Sequence, residues 1–435
     1  MATALLANLA MAGSDRALML GLPGLAMLAA FALPTLRRSA AAAIDWFSMF
    51  FFTGAAITIW VLSQLPKGSN AIGAIISNGL GFALVLTFFT WESWRGRRAL
   101  VSERGFLGSL LATVAGNLFD LREVGALRLV GLDLPTEFAE RYPGPQFGVR
   151  GTRELVGRPS GTLLGTIIKP SIGLSLDDLA DLVGELAEAG IDFIKDDELQ
   201  GNPPSSPLAA RVKVVTGVLN SYADKAGRKP MYAFNITDDI GRLEANHDLV
   251  AEAGGTAVMA CVNTVGIAGI EFLRRHSVLP IHGHRTMFGA FSRSPMLGID
   301  FNAFQVLARL AGVDHLHTNG IANKFYESDD EVLASIRAVR TPLFGAYETL
   351  PVLSSGQSAA LAHRTYEAVG STDILVMAGG GIHGHPDGSA AGVASMREAW
   401  DAAVAGEPLA ERAARVPALA RALELFAGRL PGAAR

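Results

Sequence analysis

The sequence predicts an α/β protein built on a (β/α)8 TIM barrel, preceded by a partial α+β domain and three transmembrane helices. Two observations predict the barrel. From Gly161 onward, eight short apolar runs alternate with amphipathic stretches of helical period. Polar and charged residues collect at the carboxyl ends of those runs, the rim where a barrel gathers its functional groups. A third observation predicts the membrane part: the apolar excess behind a mean hydropathy of +0.31 is concentrated before Arg98. The 435 residues suffice for two or three domains. A net charge of −4 offers no basic field for nucleic acid. With one cysteine, Cys261, there is no intramolecular disulfide, and its apolar setting predicts a buried, inert thiol.

Taken in order, residues 1–98 read as a three-span membrane segment. Ala17 to Leu36, Trp46 to Leu65 and Gly68 to Trp91 contain no charged residue, and each is long enough to cross ~30 Å of hydrocarbon. A signal peptide fits less well, because no clear cleavage site follows the first stretch and two similar stretches come after it. Arg37, Arg38, Arg95, Arg97 and Arg98 flank one side of the spans, against Arg16 and Lys67 on the other, so the remainder of the chain is expected in the cytoplasm.

Residues 99–140 read as a partial α+β domain, with a helix in "GFLGSLLATVAGNLF" and a strand in "ALRLVGLDLP". The barrel is expected over 141–425, with 426–435 as a tail. Its strands are "GTLLGTIIKP", "IDFIKDD", "MYAFNIT", "TAVMACV", "LPIHGH", "DHLHT", "PVLSSG" and "DILVMAGGG". Between the first two, Leu179, Leu182, Val183 and Leu186 form one helical face, with Ser175 as N-cap and Gly190 closing the helix. A doubly wound open sheet is the alternative arrangement of the same pattern.

The run ends carry the chemistry. Lys169 ends the first run, and Lys195, Asp197 and Glu198 end the second. His284 and Arg285 end the fifth, His317 the sixth, with Lys324 in the loop beyond it. Ser354 ends the seventh, and Gly379, Gly380 and Gly381 the eighth. Asp197 and Glu198 are hard oxygen donors suited to Mg2+, though two leave an octahedral ion short of ligands. The Lys195 ammonium would repel the cation unless its amine carried CO2 as a carbamate, which adds an oxygen ligand. A plain salt-bridge cluster is the alternative. The three glycines offer free N–H groups to phosphate, or merely a tight turn. Arg285 and His317 could hold a second anionic group. His282, His315, His383 and His385 are expected to be structural, since zinc sits poorly beside hard carboxylates. Lys169 in such a mouth is placed to take a proton α to a carbonyl, with the metal stabilising the enediolate. The residues thus point to enolisation of a phosphorylated sugar or keto acid.

"GTIIKPSIGLS", "DFIKDDE", "HGHR", "DHLHTNGIANK", "PVLSSG" and "AGGGIHGHP" resemble, in order and spacing, the active-site motifs of the RuBisCO large-chain superfamily, over residues 105 to 425. The resemblance implies that Lys195 is carbamylated and binds Mg2+ with Asp197 and Glu198. It implies that Lys169 is the catalytic base and acid, that His284 lies near the metal, and that Arg285 and His317 clamp a phosphate. Lys324 would close over the substrate, and Ser354, Gly356, Gly379 and Gly380 would contact substrate and phosphate. Asn117, in "AGNLF", would serve the site of the other subunit of a homodimer.

The departures narrow the function. Where carboxylases of the family have a second lysine, this chain has Ser171, and Ile167 replaces a threonine. The loop reads "TNGIANKFYES". These changes imply a RuBisCO-like protein of form IV type that enolises without fixing CO2. The loop wording favours a decarboxylase or transcarboxylase-hydrolase of 3-oxo-isoapionate 4-phosphate type. The alternatives are a methylthioribulose-phosphate isomerase, a diketo-methylthiopentyl-phosphate enolase, a true carboxylase, and a silent membrane-tethered remnant. A family member would also carry more of the α+β domain before Asn117. The expectation is therefore either a membrane-tethered variant or a chimera joined near residues 92 to 104 whose barrel part is cytoplasmic.

Overall fold

A computed structural model describes residues 107–426, except Glu123 and Ala346. The three predicted spans, the start of the partial α+β domain and the tail from 427 lie outside the described residues. Among the described residues, no helix is long and apolar enough to cross a membrane. The chain divides into two units, 1–110 and 111–435, and the barrel belongs to the second.

Among the described residues there are ten strands: β1 (Leu127–Leu129), β2 (Leu163–Ile167), β3 (Phe193–Lys195), β4 (Met231–Asn235), β5 (Ala257–Cys261), β6 (Ile281–His284), β7 (Leu297–Ile299), β8 (His315–His317), β9 (Leu350–Leu353) and β10 (Leu375–Met377). Eight of them close into a parallel barrel in the order β10-β2-β3-β4-β5-β6-β8-β9. These are the eight runs expected from the sequence. Pairing of β10 with both β2 and β9 closes the ring, which excludes the open sheet.

Most barrel strands are buried along their whole length, the mark of a parallel sheet covered on both faces. Inside the barrel, Leu163, Phe193, Met231, Met259, Val352 and Met377 pack into one cluster. Gly165 is needed there. A Cβ at that position would come within 2.4 Å of the Met377 sulfur and 3.0 Å of the Phe193 carbonyl oxygen. The outer helices follow their amphipathic patterns. The helix Leu176–Glu188 buries Leu179, Val183 and Leu186, and the Ser175 hydroxyl caps it by accepting from the Asp178 N–H at 3.1 Å. Gly190, at φ +83°, carries the chain out of that helix into β3.

The strand expected in the partial α+β domain forms as β1, but its partner comes from elsewhere. It pairs in parallel with β7, which lies in the loop between β6 and β8 of the barrel. The segment before the barrel is therefore stitched to a barrel loop. A helix at Leu107–Val114 and a single 3-10 turn at Asn117–Asp120 precede β1.

At the barrel's amino-terminal face, an aspartate stands immediately before each of two strands. Asp192 accepts from Arg158 at 2.6 Å, from the Leu164 N–H at 2.9 Å and from Arg397. Asp314 accepts from Arg274 at 2.9 Å and from the N–H groups of Phe147, Gly148 and Ile281. Both carboxylates are fully buried, and burial pushes the Asp314 carboxyl up despite the Arg274 charge.

Candidate active site

The carboxyl ends of the strands open into a cavity of about 710 Å3. Lys169, Lys195, Asp197, Glu198, His284, Arg285, His317, Lys324, Ser354, Gly356, Gly379 and Gly380 all line it. Ile167 lines it too. Asn117 does not; it lies exposed on its 3-10 turn.

The end of β3 shows how the strand period sorts its charges. Side chains alternate across a strand, so Phe193, Lys195 and Asp197 share one face and Asp196 turns to the other. Asp196 is fully buried and accepts from the Tyr232 hydroxyl at 2.6 Å, the Asn235 N–H at 2.9 Å and Arg211 at 3.2 Å. Burial, with the Asp196 charge, holds the Tyr232 hydroxyl well above its ordinary value. Asn235 in turn donates its side-chain amide to the carbonyls of Asp197 at 3.1 Å and Glu198 at 3.3 Å. This anchor fixes the turn that presents both candidate ligands.

Lys195 is fully buried in the cavity wall. Its Nζ donates to the Asp196 carbonyl at 2.9 Å and lies 3.9 Å from Glu198 Oε2 and 3.5 Å from the Met259 sulfur. Burial pushes the Lys195 ammonium below its ordinary value, against the opposing pull of Glu198 and Asp197. A buried amine biased toward its neutral form, beside two carboxylates, fits the hard-donor Mg2+ set expected with a carbamate, since only the free amine adds CO2. Asp197 accepts from Lys169 Nζ at 2.6 Å and from the Ser171 hydroxyl at 2.9 Å. Burial disfavours its charge, but the hydrogen bonds from Lys169, the Leu199 N–H and Ser171 outweigh that and hold the carboxyl low. Lys169 thus gains from β3 the acidic partner that its own segment lacks.

Burial, reinforced by the Lys195 charge, holds His284 neutral, well below the usual imidazole value. Its Nδ1 accepts from the Thr286 N–H at 3.2 Å. The ring proton is therefore on Nε2, which faces Glu198 Oε2 at 3.7 Å. His317 Nε2 pairs with His282 Nε2 at 2.8 Å, and its Nδ1 with the Ser354 hydroxyl at 3.0 Å. Burial keeps both of these rings neutral as well. His315 hydrogen-bonds Thr152 at 2.7 Å, His383 bonds the Ile167 carbonyl at 2.9 Å, and His385 the Ala418 carbonyl at 2.8 Å, all structural contacts. Cys261 is buried, and burial pushes its thiol up.

The three glycines divide. Gly379 and Gly380 face the cavity where the short turn Gly380–His383 begins, and no heavy atom lies within 4 Å of a Cβ built on Gly380. Gly381 packs instead: a Cβ there would come within 2.3 Å of the Gln357 carbonyl oxygen. Gly356 and Ser355 both adopt positive φ, and the Ser355 hydroxyl accepts from the Lys324 N–H at 3.3 Å.

Arg285 differs most from its expected role. Its fork is taken by Glu327, with Nη1 donating to Oε1 at 3.0 Å and Nη2 to Oε2. Sequence reasoning passed over Glu327, Asn319, Arg293 and Tyr326, all of which line the cavity. They sit in loops without strand or helix period, so no pattern pointed to them. Away from the cavity, His247, Asp248 and His276 bring their ligand atoms within 4.8 Å of one another. His247 Nε2 accepts from the Val278 N–H at 3.2 Å, so its proton is on Nδ1 and is donated to Asp248. That trio is satisfied by hydrogen bonds alone.

The family described as "Ribulose bisphosphate carboxylase large chain, catalytic domain" matches residues 148–426. A "3-oxo-isoapionate-4-phosphate transcarboxylase/hydrolase" of Xanthobacter autotrophicus is 51% identical over 319 residues, 73% of this chain and 77% of that protein. A "3-oxo-isoapionate-4-phosphate decarboxylase" of Rhizobium etli is 42% identical over 323 residues, 74% of this chain and 78% of that one. The crystal structure of a rubisco-like protein from Burkholderia fungorum superposes with a TM-score of 0.72 at 49% identity, covering 74% of this chain and 80% of that chain.

Proposed function

The chain belongs to the ribulose bisphosphate carboxylase large-chain family and is an enzyme of its RuBisCO-like, non-carboxylating kind; on that premise, we propose that it cleaves or transfers the carboxyl group of a phosphorylated oxo sugar acid of the 3-oxo-isoapionate 4-phosphate type. The observation that carries this reading is Ser171. Where the family's carboxylases have a second lysine, its hydroxyl bridges Lys169 at 2.7 Å and Asp197 at 2.9 Å. The base-acid lysine and the candidate ligands are kept, and the residue expected to serve CO2 fixation is gone. Identity of 51% to a transcarboxylase/hydrolase supports the substrate class.

Lys195 as its carbamate, Asp197 and Glu198 are the residues that would hold Mg2+. Bound there, the ion supplies positive charge beside a substrate carbonyl. A 3-oxo acid carries its carbonyl β to the carboxylate. When the carbon–carbon bond breaks, its electron pair therefore stays on the carbon next to that carbonyl while CO2 leaves. Lys169, partly exposed to the cavity, then protonates that carbon from Nζ, and Asp197 and Ser171 hold the ammonium in place. Neutral His284 turns its Nε2–H toward Glu198, 3.7 Å away, at the edge of the candidate metal site. The N–H groups around Gly379 and Gly380, with Ser354 and Gly356, would cradle the phosphate. Lys324, on the rim, would face the substrate carboxylate. Asn117 would contribute to the second subunit's site in a homodimer.

The test is turnover of 3-oxo-isoapionate 4-phosphate by the purified protein with Mg2+ and bicarbonate, followed by carbon NMR. Product should form and vanish on Lys195→Ala. Turnover of a methylthio sugar phosphate without the oxo acid, or incorporation of labelled CO2 into ribulose bisphosphate, would overturn the reading.

A further inference from the structure

We propose that Glu327 fills the second anion position of the cavity, so that the mouth accepts a sugar acid or sugar with one phosphate and not two. The inference deepens the sugar-phosphate reading above and rests on it. Among the described residues, Arg285 is the one guanidinium buried in the cavity wall, with 9% of its side chain exposed; Arg293, which also lines the cavity, is exposed. Phe288 and Phe301 hold it, each ring centroid 5.2 Å from its Cζ. Within that aromatic seat the fork has one planar edge for a bidentate partner, and Glu327 occupies it with both oxygens.

Glu327 is equally committed. Its side chain is 6% exposed, and Oε2 also accepts from the Asn319 amide. A phosphate approaching Arg285 would have to displace this carboxylate. It would then leave a buried negative charge beside a dianion, and both effects oppose binding. The chain itself thus supplies the anion. Glu327 belongs to the same loop as Lys324, and two further contacts hold that loop. The Ala322 N–H donates to Asp329 at 2.6 Å, and the Asn323 amide donates to the Glu327 carbonyl at 3.1 Å. The carboxylate therefore arrives on a segment with a defined path. At the other side of the cavity, Gly379 and Gly380 present their backbone with no carboxylate against them, which leaves room for one phosphate.

The experiment is calorimetric titration of the full chain, with Mg2+, by ribulose 5-phosphate and by ribulose 1,5-bisphosphate, repeated on Glu327→Gln and Glu327→Ala. In the unaltered protein the two probes should bind within about threefold of each other, because the second phosphate finds the Arg285 fork already occupied by Glu327. In the variants the bisphosphate should gain at least about tenfold while the monophosphate stays level. If the unaltered protein already prefers the bisphosphate by more than about tenfold, the inference fails and the sugar-phosphate reading stands. Equal binding that neither folded variant changes also overturns the role of Glu327. If neither probe binds, the sugar-phosphate reading itself falls and takes this inference with it. The wild-type comparison stands alone should a variant fail to fold.

Discussion

Asp196 and Asp197 are neighbours in sequence and opposites in role. Asp197 reaches the cavity with Lys169, while Asp196 is sealed behind the sheet with Arg211 and Tyr232. Replacing Asp197 with Ala should weaken Mg2+ binding by more than about tenfold, since even an outer residue of a metal site is worth that much. Unchanged affinity by calorimetry would remove Asp197 from the ligand set. Asp196→Asn should instead cost about 3–5 kcal/mol of stability, because it strands the buried Arg211 charge. An unchanged urea midpoint would refute that. The buried imidazoles add a pH dependence. Burial lowers the His315 pKa to about 3, whereas an unfolded histidine titrates near ~6.5. The unfolded chain therefore binds this proton first as pH falls. The stability is complete above pH ~6.5 and is lost on acidification toward about 3, at up to ~1.4 kcal/mol per pH unit. His315→Gln should flatten the slope of unfolding free energy against pH by about one proton between pH ~6 and ~4.5. Parallel slopes for the two proteins would contradict it.

At the scale of elements, the loop that carries Lys324 and Glu327 is held where the helix Asp329–Arg340 begins. Ser328 and Glu331 form a reciprocal capping box, and Asp329 accepts from the Ala322 N–H. "SDDE" before an apolar helical face is a start signal readable from sequence. Removing the cap with Ser328→Ala should cost about 1 kcal/mol, seen as a lower denaturation midpoint. A midpoint within error of the unaltered protein would show that the loop contacts, not the cap, hold the helix start. The pairing of β1 with β7 was not readable in this way. Each is three residues long, too short for a period to register, and neither says which distant strand it meets.

Across the whole molecule, the barrel separates stability from chemistry by face. Asp192 and Asp314 stand before their strands at the amino-terminal face, each gathering arginine and backbone donors from separate elements. Asp197 and Glu198 stand after theirs, at the mouth. Asp314→Asn should therefore lower stability by about 3–5 kcal/mol by urea denaturation while leaving Mg2+ affinity of the folded protein unchanged. A loss of metal affinity without loss of stability would show that the two faces are not independent.

The barrel strands, in number and order, and nearly every group expected at their carboxyl ends were legible in the amino-acid pattern. Those properties are local. Period, strand length and a charge after an apolar run need no partner to be recognised. Closure of the ring, the turning of Asp196 away from Asp197, the Lys169–Asp197 pair and the occupation of Arg285 by Glu327 emerge only in the folded chain. Each depends on which distant side chain arrives at a given point. The 42 residues from Arg285 to Glu327 carry no mark that the two will share a fork. Charge pairing of that kind follows from distance, and distance exists only once the barrel has closed.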